Sequence, residues 1–80
     1  MSMANLLHMN QLDAFKDYLT RQGIRHRPPR GDYQVLQVCK HGNQWHALYQ
    51  RLAATEHLTV PRPLMGLVLN FLKEKKRDHA

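Results

Sequence analysis

Basic side chains are the residues of this chain most suited to chemistry, because they fall in clusters. Lys and Arg bind nucleic-acid phosphates by displacing condensed counterions, and the planar guanidinium of Arg can donate two parallel hydrogen bonds to one phosphate. The alternative interpretation is that these basic side chains only form a solvated surface or, for the C-terminal lysines, compensate a helix dipole. We predict that the following cations contact phosphates: Arg25, Arg27, Arg30, Lys40, Lys73, Lys75 and Lys76.

Six histidines and one cysteine raise the question of a metal site. In the hairpin register favoured below, Cys39 faces His46, with His41 on the same side and His57 able to complete the set. Zinc accepts a Cys-His-His-His set. The spacing nevertheless contains no compact ligand pair of the C-x₂-C or H-x₃-H kind, and a half-buried strand cysteine is ordinary. No metal and no cofactor are therefore expected.

Catalytic chemistry has less support in the sequence than binding. A nucleophilic Cys39 beside His46 would lack an orienting acid, because no carboxylate is predicted on that face. Metal-free RNA cleavage needs a general base within reach of a 2′-hydroxyl, and His26, His46 or His57 could serve. We therefore predict no catalytic residue and favour binding over catalysis.

Length and charge bound the possible functions. The chain has 80 residues, with 12 Lys and Arg against six Asp and Glu, a net charge of +6 and 42% apolar residues. This composition predicts one folded basic domain over 1–80, with flexible ends at 1–9 and 77–80, and excludes multi-part catalytic machinery. The lone cysteine excludes an internal disulfide, and no apolar run approaches the ~20 residues of a membrane span. A cytoplasmic protein without a membrane partner is expected.

Two helices are predicted. The first spans Gln11–Gln22, begins at an Asn10 N-cap and carries an apolar stripe at helical spacing. Gly23 follows as the C′ glycine of a Schellman ending, which packs Ile24 back on the helix. The second helix begins at Pro63. Its apolar residues recur at the spacing of a core-facing helix: Leu64, Leu67, Val68, Phe71 and Leu72.

Between the helices, two strands are predicted at Tyr33–Lys40 and Gln44–Leu52, joined by a turn at Gly42-Asn43. A two-residue loop gathers apolar side chains on one face, whereas a three-residue loop scatters them over both. The face predicted to pack under the helices is Leu36, Val38, Trp45, Ala47 and Tyr49. The two aromatic rings of that set are therefore expected in the core rather than on a base-stacking surface, with Tyr33 alone outside.

The predicted fold class is α+β: a helix, an antiparallel hairpin or three-stranded sheet, and a second helix, with both helices on one sheet face. Ile24–Arg27 is a candidate edge strand, because the prolines that follow it prevent central pairing. Leu58–Val60 is the candidate third strand. Exposed edges of this kind also offer a site for docking or homodimerisation.

This element order and three short segments resemble HicA-type toxins. The segments are Leu19–Ile24 at the end of the first helix, Gly31 before a strand, and Leu58–Pro63 leading into the last helix. The resemblance implies a double-stranded-RNA-binding-domain-like fold and affinity for nucleic acid. In that family the catalytic histidine directly follows the glycine, whereas Gly31 is followed here by Asp32 and Tyr33. The ribonuclease activity is therefore not carried over.

Three functional hypotheses follow. The leading one is a small basic accessory protein that binds DNA or RNA mainly through phosphate contacts. The alternative is a non-enzymatic protein-interaction module, such as a phage- or prophage-type modulator that docks on an acidic surface of a host nucleic-acid enzyme. The third is a HicA-like ribonuclease toxin that uses a displaced histidine.

Overall fold

A five-stranded antiparallel sheet and two helices form the fold in the computed structural model, which describes residues 3–50 and 56–78. In chain order the elements are β1 (Met3–His8), a 3-10 turn (Met9–Gln11), α1 (Leu12–Arg21), β2 (Arg25–Arg27), β3 (Gln34–His41), β4 (Gln44–Tyr49), β5 (His57–Pro61) and α2 (Arg62–Asp78). The strands lie in the order β1-β5-β4-β3-β2, so β1 and β2 are the edges. The predicted α+β class is confirmed, but the sheet has five strands rather than two or three.

Both helices pack on the same face of the sheet and share one apolar core. The fully or almost fully buried members of this core are Leu7, Phe15, Leu19, Leu36, Val38, Leu48, Leu58, Val60, Leu64, Val68 and Phe71. The rings of Phe15 and Phe71 meet edge to face, with 5.3 Å between centroids, which joins α1 to α2. The predicted packing of both helices on one sheet face is therefore confirmed.

The end of α1 directs the chain into the edge strand β2. Gly23 has φ +72°, a left-handed conformation that glycine adopts without steric cost. The N–H of Ile24 donates to the carbonyl of Leu19 at 2.9 Å, and the N–H of Gly23 donates to the carbonyl of Thr20 at 3.1 Å. These two bonds are the predicted Schellman ending. The ending places Arg25 at the start of β2.

The start of α1 differs from the prediction. The N-cap of α1 is Gln11, which makes no side-chain capping bond, and the side-chain cap belongs to the preceding 3-10 turn. That cap is His8 rather than Asn10: the His8 ring Nδ1 accepts from the N–H of Asn10 at 3.1 Å. In return, the N–H of His8 donates to Gln11 Oε1 at 3.0 Å. These reciprocal bonds form a capping box for the 3-10 turn that leads into α1. Because histidine is not among the common capping residues, the sequence favoured the asparagine.

Residues 3–8 form β1, although the sequence predicted a flexible segment over 1–9. Leu7 is fully buried and pairs with Leu58 of β5. The pairing shifts register between Asn5 and Leu7. Such a bulge interrupts the alternation of polar and apolar residues that identifies a strand in a sequence, which is why this segment carried no strand signal.

The predicted register of the β3–β4 hairpin is wrong by one residue. His41 pairs with Gln44 around the two-residue turn, as predicted, but the next pair is Cys39 with Trp45. Lys40 is therefore an extra residue that bulges from β3. Because side chains alternate along a strand, this shift exchanges the two faces of β4. Leu48 enters the core, while Trp45, Ala47 and Tyr49 lie on the opposite face.

Helix α2 begins at Arg62, one residue before the predicted start, and extends to Asp78. Residues 77 and 78, which were predicted to be flexible, belong to this helix, while residues 79 and 80 lie outside the described residues. Strand β4 ends at Tyr49, and residues 51 and 52 of the predicted strand also lie outside them. Within the described ranges, neither helix combines the length and apolar character needed to cross a membrane.

The register predicts which leucine supports the fold. Leu48→Ala removes a fully buried side chain from β4, so we expect the free energy of unfolding to fall by about 2–5 kcal/mol. Leu69→Ala is the matched control, because Leu69 is 45% exposed on α2, and its effect should stay within about 0.5 kcal/mol. Urea unfolding measures both values. Equal losses in the two variants would contradict the observed register.

A second pair of variants tests the Schellman ending. Gly23→Ala places a β-carbon on a residue with φ +72°, so we expect a loss of about 1–2 kcal/mol of unfolding free energy. Gly66 lies inside α2 with open space around its α-carbon. Gly66→Ala should therefore raise stability by about 0.5–1 kcal/mol, because alanine is the better helix former. Thermal or urea denaturation measures both changes. If both substitutions changed the free energy of unfolding in the same direction, the assignment of Gly23 to the Schellman ending would be refuted.

Candidate nucleic-acid interface

The face of the sheet away from the helices, here called the open face, carries the two arginines of β2. Arg25 pairs with Cys39, and Arg27 pairs with Gln37. Since Cys39 also pairs with Trp45 of β4, both arginines share the open face with the indole ring. Directly paired residues of antiparallel strands point to the same side of the sheet, so the pairing alone brings these side chains together.

Trp45 lies in contact with both guanidinium groups. The Cζ atom of Arg27 is 3.8 Å from the centroid of the Trp45 ring, and that of Arg25 is 5.6 Å away. Both distances fall in the range of cation–π attraction, for which tryptophan is the best aromatic partner. Arg25 also donates to Cys39 Sγ at 3.2 Å and to the carbonyl of Gly42. The two arginines are thus held in defined positions on the sheet.

A chain of hydrogen bonds through two glutamine side chains also holds Arg27 in place. The Nε–H of Arg27 donates to Gln37 Oε1, and Gln37 Nε2 donates to Gln34 Oε1 at 2.9 Å. The backbone N–H of Arg30 donates to the same Gln34 oxygen at 3.1 Å. This chain links the loop that follows β2 to the centre of the open face. It also satisfies Gln37, a polar side chain that is only 9% exposed.

No carboxylate among the residues that the structure describes neutralises the positive charge of this surface. The ion pairs found in the described ranges are His8–Glu56 and Arg21–Glu74, and neither involves Arg25, Arg27 or Arg30. Partial burial and the positive charges of Arg30 and Arg25 lower the pKa of Arg27, against an opposing effect of Cys39. A bound anion would relieve this repulsion, so the arrangement favours an anionic ligand.

The other predicted phosphate contacts lie elsewhere. Lys40 Nζ is 3.5 Å from the carbonyl of Pro63, at the start of α2. Lys73 and Lys75 lie near the end of α2, in the helix layer, and the side chain of Lys76 is outside the described residues. The structure therefore brings together Arg25 and Arg27, and places Arg30 beside them. It separates these arginines from the lysines that the sequence grouped with them by charge.

Aromatic side chains accompany the arginines, contrary to the sequence-based expectation. Trp45 and Tyr49, predicted to be core residues, are half-buried on the open face because of the Lys40 bulge. Both residues line a depression of about 170 Å³. Its lining residues are Gln34, Gln37, Trp45, His46, Ala47, Tyr49 and Pro61. Tyr33 is 66% exposed, as predicted for a ring outside the core.

The histidines and the cysteine do not form the sets considered from the sequence. Cys39 pairs with Trp45, whereas His46 pairs with Val38 on the helix side, so the proposed zinc ligands lie on opposite faces. Among the described residues, no group of three or more His, Cys, Asp or Glu is placed to hold a metal. His26 also pairs with Val38, while the His57 ring lies 5.0 Å from that of His8. His26 and His46 thus flank Val38 from the two neighbouring strands, whereas His57 lies beside His8.

Comparison with known proteins adds no relative. No protein-family model, no curated protein and no solved structure matches this chain. The resemblance to HicA-type toxins therefore stays a prediction from the sequence. What the open face binds must be inferred from its own geometry and charge.

The stacking of Arg27 on Trp45 can be tested without a ligand, because Trp45 is the one tryptophan of the chain. Arg27→Lys keeps the charge but removes the planar group 3.8 Å from the ring centroid. We expect quenching of Trp45 fluorescence by acrylamide to increase. Arg30→Lys is the matched control and should leave quenching unchanged, since the contact that joins Arg30 to Gln34 is made by its backbone. Equal quenching in the two variants would show that the guanidinium does not cover the indole.

Proposed function

We propose that this protein binds nucleic acid through phosphate contacts made by Arg25, Arg27 and Arg30. The observation that carries the proposal is the pair of guanidinium groups held against Trp45, for which the described residues provide no carboxylate partner. Cations that lack a protein counterion keep their charge for a ligand, and displacement of counterions by such groups provides most of the affinity for phosphates. The net charge of +6 supports the same ligand.

The geometry of the guanidinium groups favours phosphate over anions in general. Arg27 uses its Nε–H on Gln37, which leaves the terminal nitrogens to donate to a ligand. Two parallel donors of this kind match two oxygens of one phosphate. Because Arg25 and Arg27 are two residues apart on one strand, their α-carbons are about 6.6 Å apart and their side chains share a face. The pair can therefore contact successive groups of a polyanion.

Catalysis is not part of this proposal. His26 and His46, which are two of the candidate general bases, both pair with Val38, whose side chain is buried in the core under the helices. The role that we propose is that of an accessory protein in the cytoplasm, which acts by occupying nucleic acid. Docking of the same basic surface on an acidic protein is the competing interpretation, and the binding experiment distinguishes the two.

The test compares two double variants with the same loss of charge. Arg25→Gln/Arg27→Gln removes two cations from the open face, while Lys73→Gln/Lys75→Gln removes two from α2. Fluorescence anisotropy with labelled DNA and RNA should show a loss of affinity on the order of tenfold for the arginine variant only. The slope of log affinity against log salt should fall by about 1.4 for a single strand, which corresponds to two lost contacts.

Three results would overturn the proposal. The first is a wild-type affinity that does not fall between about 50 and 200 mM salt. The second is an equal loss in the arginine and lysine variants, which would indicate net charge rather than a site. The third is absence of binding together with nuclease-resistant recovery of an acidic protein partner. Cleavage of the labelled RNA that depends on His26, His46 or His57 would support the ribonuclease hypothesis instead.

A further inference from the structure

We infer that the open face binds unpaired bases, so that the ligand is single-stranded nucleic acid rather than a duplex. This inference rests on the function proposed above. Its basis is the register of β4, which places Trp45 and Tyr49 on the open face beside the arginines. The two residues are four apart on one strand, which corresponds to about 13 Å between α-carbons. Ala47 lies between them on the same face.

The depression combines aromatic and polar side chains in its lining, as a site for a nucleobase requires. The methyl group of Ala47 leaves its centre unfilled, and Pro61 of β5 borders it without a backbone N–H. Arg27 covers Trp45, and Tyr49 is half-buried at the other end. Stacking of bases on aromatic rings and on Arg guanidinium planes is the usual means by which proteins bind single strands.

Polar groups are placed where the edge of a base would lie. Gln34 and Gln37 both line the depression. Gln34 Oε1 accepts two hydrogen bonds, from Gln37 Nε2 and from the N–H of Arg30, so its lone pairs are used. No acceptor for the amide protons of Gln34 is found in the described ranges. These protons can donate to the acceptor atoms that every base carries on its edge.

A third aromatic residue, Tyr33, supports the same ligand. Tyr33 has φ +64°, a conformation that is rare and strained for a bulky residue, and its ring is 66% exposed. The N–H of Gln50 donates to the Tyr33 carbonyl at 2.7 Å, which holds this backbone next to Tyr49. The strained turn thus holds an exposed tyrosine three residues after Arg30 and beside the end of β4. Strain of this kind is concentrated at functional positions.

A duplex fits this surface less well than a single strand. Bases in a duplex are stacked on each other and paired, so their flat faces cannot reach a half-buried ring such as Tyr49. A single strand can turn its bases toward the sheet while its phosphates meet the arginines. The surface therefore combines a sequence-tolerant stacking platform with a strip of positive charge.

The experiment measures anisotropy with one labelled oligonucleotide of about 12 nucleotides, alone and annealed to its complement. Wild-type protein should bind the single strand at least tenfold more tightly, and binding should quench Trp45 fluorescence. Tyr49→Val keeps a strand-forming residue but removes the ring, so single-strand affinity should fall about tenfold with duplex affinity unchanged. Tyr49→Phe is the matched control, which keeps the ring and should stay within about twofold. Urea unfolding confirms that each variant is folded.

The outcomes separate this inference from the proposed function. Equal affinity for single strand and duplex, with the arginine variant impaired and Tyr49→Val unaffected, would overturn base stacking while phosphate binding survives. Absence of salt-dependent binding to either form would overturn both. A fall of single-strand affinity with Tyr49→Phe as large as that with Tyr49→Val would show that the tyrosine hydroxyl, and not stacking on the ring, is responsible.

Discussion

One extra residue in β3 determines which side chains this protein buries and which it exposes. The turn at Gly42 closes with His41 opposite Gln44, and Lys40 then bulges, so that the pairs from Cys39–Trp45 to Leu36–Leu48 are shifted by one residue; a second shift precedes the Gln34–Tyr49 pair. Leu48 is thereby packed under the helices, and the aromatic residues of β4 are moved to the open face. A shift of one residue exchanges all side chains of a strand between faces, because their period is two. The candidate interface depends on this bulge.

The arginine side chains of the open face are held in place without losing their positive charge, whereas ion pairs would neutralise that charge. Arg25 and Arg27 are held by the indole of Trp45 and by neutral hydrogen-bond acceptors, none of which is a carboxylate. Cation–π attraction and amide hydrogen bonds position a guanidinium without neutralising it. The side chains are therefore ordered before a ligand arrives, which reduces the conformational entropy lost on binding. The Schellman ending at Gly23 and the pairing of β2 with β3 place both arginines at this position.

Some of the fold could be predicted from short stretches of sequence. The body of α1, the apolar face of α2 and the turn around Gly42 follow from helical periodicity and from turn preferences, and the structure contains all of them. The arginines of β2 were also correctly recognised as a local cluster. The lysines were grouped with them only because their charge has the same sign. Sequence separation contains no information on which surface a charge occupies, and the structure places Lys40 and Lys73 away from the open face.

Sequence by itself determined the basic character of the protein, the two helices with the glycine that ends the first, and the hairpin turn, because these depend on interactions within a few residues. Only the tertiary structure decided that Met3–His8 is a strand, that Lys40 bulges and that Trp45 faces Arg27. Each of these depends on contacts between distant residues. Leu7 is buried against Leu58, and the exchange of faces in β4 fills the core with Leu48 instead of Trp45. The free energy gained by burying apolar surface in the whole core outweighs the preference of a local sequence pattern for one strand register. That burial is determined by the packing of all the elements together.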